Sequence, residues 1–243
     1  MTLRGGLSPP ARSGALKDYY ESLLRNFGPQ GWWPARTRLE VILGAILTQN
    51  TTWRNASLAL DHLRKAGLLR IENLRRASLP ELERHIRQAG FYRQKAATIL
   101  FFLEWLDHHC DGSLNALFSV HPEELRLRLL EIKGLGPETV DAILLYAGRK
   151  PFFVADAYTR RILSRHGWLP TDATYEAAQE MLHRQLPRDS AIFNEFHALL
   201  VEAGKRYCAR REPACLECPL REYLPFPGRV SAPVEAPSLP GIN

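Results

Sequence analysis

Residues 132–156 read IKGLGPETVDAILLYAGRKPFFVAD, and this stretch indicates the fold of the whole chain. The triplet Gly134-Leu135-Gly136 separates two segments with apolar residues at helical spacing, 125–130 before it and 140–147 after it. Pro137 suits the first turn of the second helix, because an N–H there would have no partner within the helix. The sequence therefore predicts two helices joined by a tight glycine hairpin, whose outward amides can attract a phosphate without reading a base.

The apolar run 152–155 ends at one carboxylate, Asp156. Because apolar residues precede Asp156, we expect burial to raise the pKa of its carboxyl unless partners oppose that shift. Helical hairpins and helix-capping aspartates are each common, so either half of the stretch alone is ordinary. Their combination is more specific and indicates one functional unit.

The string KGLGPETVDAIL, followed by VADAY, resembles the helix-hairpin-helix, Gly/Pro-rich, aspartate motif of the endonuclease III superfamily of DNA glycosylases. The resemblance extends over residues 16–223 and implies base excision repair of DNA. Within the superfamily the chain looks most like the 3-methyladenine DNA glycosylase III branch. The segments that carry this narrower match are WWP at 32–34, LGAILTQNT at 43–51 and GFYRQKA at 90–96.

The resemblance implies an all-α fold of two helical domains with a DNA-binding cleft between them. One domain is expected to be continuous, a six-helix domain at 36–150 that holds the hairpin. The other is expected to combine 15–35 with 151–223 and to hold a C-terminal iron–sulfur-type cysteine loop. Composition predicts a disordered N-terminus at 1–14 and a Pro-rich tail at 224–243.

The 243 residues carry a formal net charge of +6, with a pI of about 9.3. This mild basicity fits a polyanionic partner. The first fifteen residues contain no apolar signal segment, and no apolar run reaches transmembrane length. We therefore expect a cytoplasmic, nucleoid-associated monomer that acts on double-stranded DNA containing a damaged base.

Three of the four cysteines lie close together, which in a reducing compartment favours metal binding over disulfides. Cys208, Cys215 and Cys218 match the first three ligands of the superfamily's iron–sulfur loop, which implies a [4Fe-4S]-type cluster. The family's fourth cysteine is replaced by Leu224. Several outcomes remain open: an unusual fourth ligand, an open iron site, a three-iron cluster, zinc, or no metal at all.

Trp32-Trp33-Pro34 has two interpretations. Adjacent tryptophans commonly fill a core, but in the related branch this motif lines the pocket that holds a flipped base. Trp53 falls where that branch has another pocket aromatic and can face the pair across a base. Lys205, on the last helix, is either near this pocket or a solvated surface lysine.

A second group of residues is expected to contact DNA. Gln49 matches the glutamine that many superfamily members insert into the DNA stack, although a polar capping loop is the alternative for Gln49 and Asn50. The hairpin residues Lys133, Gly134, Leu135 and Gly136 are expected to hold the DNA backbone. Further candidates for phosphate contacts are the basic residues Arg93, Lys95, Arg160 and Arg161, although solvated surface charge is the more common role for residues such as Arg93 and Lys95.

Asp156 aligns with the family's catalytic aspartate, which stabilises positive charge on the sugar and orients or deprotonates water. Bifunctional members carry a nucleophilic lysine where this chain has Glu138, which cannot form a Schiff base. The sequence thus predicts a monofunctional glycosylase without lyase activity. Glu138 is expected to have a secondary catalytic role in the pocket, or only to stabilise a helix N-terminus.

The expected substrate is an alkylated purine such as 3-methyladenine, whose positive charge suits stacking on tryptophan. Ala45 stands where adenine glycosylases of this superfamily have an essential glutamate, which argues against that subgroup. Two other functions stay open. One is a glycosylase for oxidised or deaminated bases, and the other is a non-catalytic helix-hairpin-helix protein that only binds DNA.

Overall fold

The computed structural model describes residues 15–225, and the secondary structure in that range is helical, without a strand. The prediction of an all-α fold is confirmed. The expected disordered N-terminus and nearly all of the Pro-rich tail lie outside the described residues. Among the helices described, none is long and apolar enough to cross a membrane.

Twelve α-helices follow one another in the described range. Many begin where a short polar side chain accepts the amide three residues on, as at Thr37, Thr52 and Ser78. The helices are α1 Leu16–Phe27, α2 Arg38–Thr48, α3 Trp53–Lys65, α4 Ile71–Arg76, α5 Leu79–His85, α6 Tyr92–Cys110, α7 Leu114–Ser119, α8 Pro122–Leu130, α9 Pro137–Ala142, α10 Ala157–Arg165, α11 Tyr175–Gln185 and α12 Ser190–Arg206. A π turn, Ile143–Ala147, continues α9, and short 3₁₀ turns lie at Arg87–Ala89, Cys215–Glu217 and Arg221–Tyr223.

The chain forms two compact units. We call Gly31–Val154 with Pro187–Asn194 the hairpin unit. The cysteine unit comprises the chain up to Gln30, Ala155–Leu186 and the chain from Glu195 onward. The expected domain limits at 35/36 and 150/151 stay a prediction, and the hairpin unit, which begins at Gly31, includes the WWP loop.

The continuous part of the hairpin unit contains eight described α-helices, α2 to α9, where six were expected. The difference comes from short helices such as α5 and α7, which Ser78 and Ser113 start separately by accepting an amide hydrogen bond. At its centre lies α2, whose residues Leu39–Leu47 are all buried and which packs on α3 and on the π turn.

Lys95 is part of this core. Its side chain is 2% exposed, and its ammonium donates to the carbonyls of Leu47 at 2.8 Å and Ala89 at 2.7 Å. Burial lowers the pKa of Lys95 to about 8. The predicted phosphate contact of Lys95 is therefore wrong, because the lysine instead satisfies carbonyls near the end of α2, where a cation is favoured.

The cysteine unit contains α1, α10, α11 and the part of α12 from Glu195 onward. Tyr19 of α1 is fully buried, stacks on Tyr223 at 4.7 Å and meets His166 edge to face. Arg161 and Arg165 of α10 then hold the cysteine loop by donating to its backbone carbonyls. A phosphate contact was predicted for Arg161, but its Nε donates to the carbonyl of Cys208 at 2.7 Å.

Candidate functional site

The hairpin between α8 and α9 depends on one glycine with a positive φ. Gly134 has φ +94°, and a Cβ there would overlap the side chain of Thr98 in α6. Leu135 is buried, and its amide donates to the carbonyl of Ile132 at 3.0 Å. The amide of Leu135 is therefore occupied. Among the amides that can still reach a phosphate are that of Gly136, which caps α9, and those of Glu138 and Thr139 in the first turn after it.

Gln49 lies against this hairpin. Its side-chain amide donates to the carbonyl of Gly134 at 3.0 Å and to the hydroxyl of Thr139 at 2.8 Å. Asn50, the next residue, is exposed and has φ +52°. Insertion of Gln49 into a DNA stack stays a prediction, and such an insertion would have to break both of these hydrogen bonds.

Two glycines of the hairpin make a matched test. We expect Gly134→Ala to destabilise the fold by about 1–3 kcal/mol from backbone strain alone, with overlap on Thr98 adding to the loss. A Cβ added at Gly136 would meet no atom within 4 Å, so the melting temperature of Gly136→Ala should stay close to that of the wild type. If DNA approaches the amide of Gly136, this variant should instead bind duplex DNA more weakly. Calorimetry and fluorescence anisotropy measure the two effects. Equal DNA affinity of Gly136→Ala and wild type would contradict the backbone approach.

The predicted pocket aromatics gather in one cluster of the hairpin unit. Trp33 lies 5.2 Å from Trp53, edge to face at 89°, and 4.9 Å from Tyr146. Trp32 adjoins Trp33 at 6.1 Å, and Pro34 follows on the exposed side of the loop. Because Trp33 and Trp53 touch directly, no base fits between those two rings as they stand.

Trp33 packs closely on α2, and its indole nitrogen is a buried donor. Gly44 of α2 lies under Trp33, where a Cβ would come within 3.2 Å of the indole nitrogen. That nitrogen, Nε1 of Trp33, is buried and has no hydrogen-bond partner among the described residues. A buried donor of this kind is available to an acceptor on a bound ligand.

Asp156 caps α10 in the cysteine unit. One carboxylate oxygen accepts from the amide of Thr159 at 2.8 Å, and the other lies 3.7 Å from Nε2 of His197. Desolvation is the largest single influence and raises the pKa of Asp156, but His197 and Thr159 together outweigh it. The pKa of Asp156 is therefore lowered, because His197 and Thr159 are the partners that oppose the effect of burial.

Glu138 and Lys205 are both exposed. Glu138 lies in the first turn of α9, where a carboxylate is favoured by the helix dipole. Lys205 lies in the last turn of α12, where a cation is favoured for the same reason. Since Glu138 belongs to the hairpin unit and Lys205 to the cysteine unit, their expected pocket roles stay predictions.

The three clustered cysteines line one cavity of the cysteine unit, together with His166, Arg165 and Leu224. Arg165 donates to the sulfur of Cys208 at 3.0 Å, and the amide of Leu220 donates to that of Cys218 at 3.5 Å. Burial raises the pKa of Cys215, and raises that of Cys218 to about 11. Within residues 15–225, no three His, Cys, Asp or Glu side chains converge as ligands of one metal ion.

Sequence reasoning missed three residues of these sites: Tyr146, His166 and His197. Tyr146 is hidden in the apolar run after the hairpin, and its position in a π turn is a feature often found at functional sites. His197 interrupts the apolar face of α12, and that interruption was the available signal. His166 has no sequence signal, because its neighbours come from distant parts of the chain.

A glycine hairpin between two helices, followed by a capping aspartate, is the arrangement for which the class of helix-hairpin-helix DNA repair proteins is named. The family described as the HhH-GPD superfamily of base excision DNA repair proteins matches residues 43–188, and the chain belongs to it. A protein of Methanocaldococcus jannaschii, provisionally named a DNA repair glycosylase, is 40% identical over 84% of this chain and 93% of its own length.

Solved structures agree with this membership. The H. pylori 3-methyladenine DNA glycosylase bound to 1,N6-ethenoadenine has a TM-score of 0.68 and 26% identity, over 79% of this chain and 96% of that one. A trapped covalent complex of endonuclease III with DNA has a TM-score of 0.74 at 20% identity, over 86% and 93% of the two chains. The second likeness shows the fold alone. The chain is thus a DNA glycosylase of base excision repair.

Proposed function

We propose that this glycosylase is monofunctional and removes alkylated purines such as 3-methyladenine from double-stranded DNA. The observation that carries the proposal is the placement of the Asp156 carboxyl, which accepts from the amide of Thr159 at 2.8 Å and lies 3.7 Å from Nε2 of His197. Both partners lower the pKa of Asp156 and so favour its charge against burial. A fixed carboxylate stabilises the positive charge that develops on deoxyribose when the glycosidic bond breaks. Asp156 is therefore assigned to the sugar and Trp32, Trp33, Trp53 and Tyr146 to the base.

The lowered pKa bears on the mechanism. A carboxylate that resists protonation is a weak general base, since efficient bases have a pKa near the working pH. Asp156 then contributes mainly by its charge and by orienting water. The bond between the base nitrogen and C1′ breaks, the water oxygen bonds to C1′, and the water proton leaves to solvent. An alkylated purine carries a positive charge and departs as a neutral base, so the reaction needs no protein acid.

Two observations support the choice of substrate. Four aromatic side chains gather within one cluster, which suits a flat cationic base through stacking and cation–π attraction. The buried indole nitrogen of Trp33 supplies a donor for an acceptor on the base. The similar H. pylori enzyme is a 3-methyladenine DNA glycosylase, which supports the same class of lesion.

Glu138 supports the absence of lyase activity. A carboxylate cannot attack C1′ to form the Schiff base that strand-cleaving relatives require. Glu138→Lys provides a gain-of-function comparison, because it places an amine at the exposed start of α9. A covalent adduct with the variant and none with wild type would show that this position reaches the sugar.

One assay tests the proposal. Duplexes containing 3-methyladenine, 7-methylguanine, ethenoadenine, hypoxanthine or uracil are incubated with the protein, and free bases are quantified by mass spectrometry. Release of alkylated purines, with no borohydride-trapped adduct on abasic DNA, is the expected result. Release of only uracil or hypoxanthine would overturn the substrate class, and a trapped adduct would overturn the monofunctional assignment. Tight lesion binding without release would identify a DNA-binding protein.

His197 should set the acid limb of the activity profile. Because the folded pKa of Asp156 is depressed, its charge is retained well into acid and is lost only as the pH falls through that pKa. In His197→Ala the pKa of Asp156 should rise, so activity should be lost at a higher pH. Single-turnover base release from pH 3 to 8 measures this shift. His121→Ala, at an exposed histidine, is the control, and identical acid limbs would show that His197 does not tune Asp156.

We infer that Cys208, Cys215 and Cys218 hold an iron–sulfur cluster, because all three line one cavity. The amide of Leu220 and the guanidinium of Arg165 donate to cysteine sulfurs, and such hydrogen bonds accompany cluster thiolates and tune the reduction potential. A cubane is larger than one ion, so its ligands need not converge on a point. When bound, the cluster would link Cys208, which follows the end of α12, to Cys215 and Cys218 farther along the loop. Binding would displace the thiol protons that the raised pKa values retain.

A further inference from the structure

We propose that His166 is the fourth protein ligand of the iron–sulfur cluster. The inference rests on the cluster assigned above, and it addresses the family's missing cysteine at Leu224. Both His166 and Leu224 line the cavity that the three cysteines share. Apart from those cysteines, His166 supplies the only imidazole, thiol or carboxylate among the described residues that line this cavity.

The hydrogen bonds of His166 assign its tautomer. Nδ1 lies 3.2 Å from the carbonyl oxygen of Tyr223 and 3.1 Å from the hydroxyl of Tyr19. A carbonyl oxygen only accepts, so Nδ1 must carry the hydrogen. The Tyr19 hydroxyl can accept from Nδ1 while it donates to the same carbonyl at 3.3 Å. Nε2 is thereby left with its lone pair, and within the described residues no hydrogen bond to Nε2 occurs.

This arrangement matches the way proteins prepare a histidine ligand. A metal-bound imidazole almost always donates its other N–H to a carbonyl, a carboxylate or water, which fixes the ring and makes the ligating nitrogen more basic. Here the accepting carbonyl belongs to Tyr223, the residue directly before Leu224. The loop thus lacks a thiolate at 224 but orients an imidazole through the preceding residue.

Packing also holds His166 in place. The side chain is buried, meets Tyr19 edge to face with ring centroids 5.3 Å apart, and follows α10 directly. Arg165, the last residue of α10, donates to the sulfur of Cys208. The end of α10 therefore lies against the cysteine loop, and His166 is the next residue. Three thiolates and one imidazole complete four protein ligands, and histidine ligation of iron–sulfur centres has precedent.

The first experiment needs no variant. The full chain, labelled with ¹⁵N-histidine, is reconstituted anaerobically with iron and sulfide, and iron content and absorption are measured. Pulsed EPR is then recorded on the paramagnetic cluster. About four irons per chain and a ¹⁵N-histidine coupling are expected. Four irons without this coupling, or a three-iron cluster, would overturn the role of His166 and leave the cluster intact. Absence of bound iron would overturn the cluster proposal itself, whereas base release tests the glycosylase separately.

The second experiment exchanges the ligands. His166→Ala should lose one iron or all of them, and His166→Cys should keep four without the nitrogen coupling. Leu224→Cys in the His166→Ala background should restore four irons, because residue 224 lines the same cavity. This rescue separates lost ligation from simple misfolding. His121→Ala should leave iron content and spectrum unchanged. An unchanged cluster in His166→Ala would contradict the proposal.

Discussion

Asp156→Asn is expected to slow base release by about 10²–10³-fold while leaving affinity for lesion-containing DNA nearly unchanged. Asparagine caps a helix as well as aspartate does, so the hydrogen bond from the amide of Thr159 and the start of α10 survive. Only the negative charge is lost. His197 lies 3.7 Å from the Asp156 carboxylate and favours its charged form despite burial, so the substitution removes an interaction that the fold supports.

Single-turnover release from a 3-methyladenine or ethenoadenine duplex measures the rate, and anisotropy measures binding. Asp172→Asn, at an exposed aspartate outside the site, is the matched control and should release base at the wild-type rate. Retention of wild-type activity by Asp156→Asn would remove the catalytic assignment. A parallel loss of binding and rate would instead show that the charge acts in DNA recognition.

Local patterns explain what the sequence could predict. The hairpin was readable because helical spacing, two glycines and Pro137 all lie within a few residues of one another. The cap by Asp156 was readable for the same reason, since its partner amide at Thr159 is three residues away. Gly134 also behaves as its pattern suggests, because its positive φ follows from a local turn.

Long-range contacts explain what the sequence could not predict. Lys95 looks like a surface charge, yet its carbonyl partner at Leu47 lies 48 residues away and draws it into the core. The pKa of Asp156 depends on His197, which a distant helix supplies. Spacing between residues carries no information about such encounters. His166 and the cysteine loop meet only because α10 and the residues after α12 pack together.

Asp141→Ala is expected to destabilise the protein by about 3–5 kcal/mol, which corresponds to roughly 6–20 °C in melting temperature. Asp141 of α9 is fully buried and binds Arg126 of α8 through both carboxylate oxygens, at 2.6 and 3.0 Å. The variant would leave the guanidinium of Arg126 without its bidentate partner in a mostly buried position. Because this pair joins the two helices of the hairpin, DNA binding should weaken together with stability. Calorimetry and chemical denaturation measure the loss.

Arg126→Met combined with Asp141→Leu separates the charge effect from packing. Replacing a buried ion pair by apolar side chains is often neutral, so the double variant should recover most of the stability that Asp141→Ala loses. Glu124→Ala, in the helix α8 that also carries Arg126, is the control, since the exposed pair of Glu124 with Arg128 should contribute under about 1 kcal/mol. If the two single alanine variants melt alike, the pair at Asp141 does not hold the hairpin. If the double variant regains stability but not DNA affinity, the charged pair also shapes the hairpin that meets DNA.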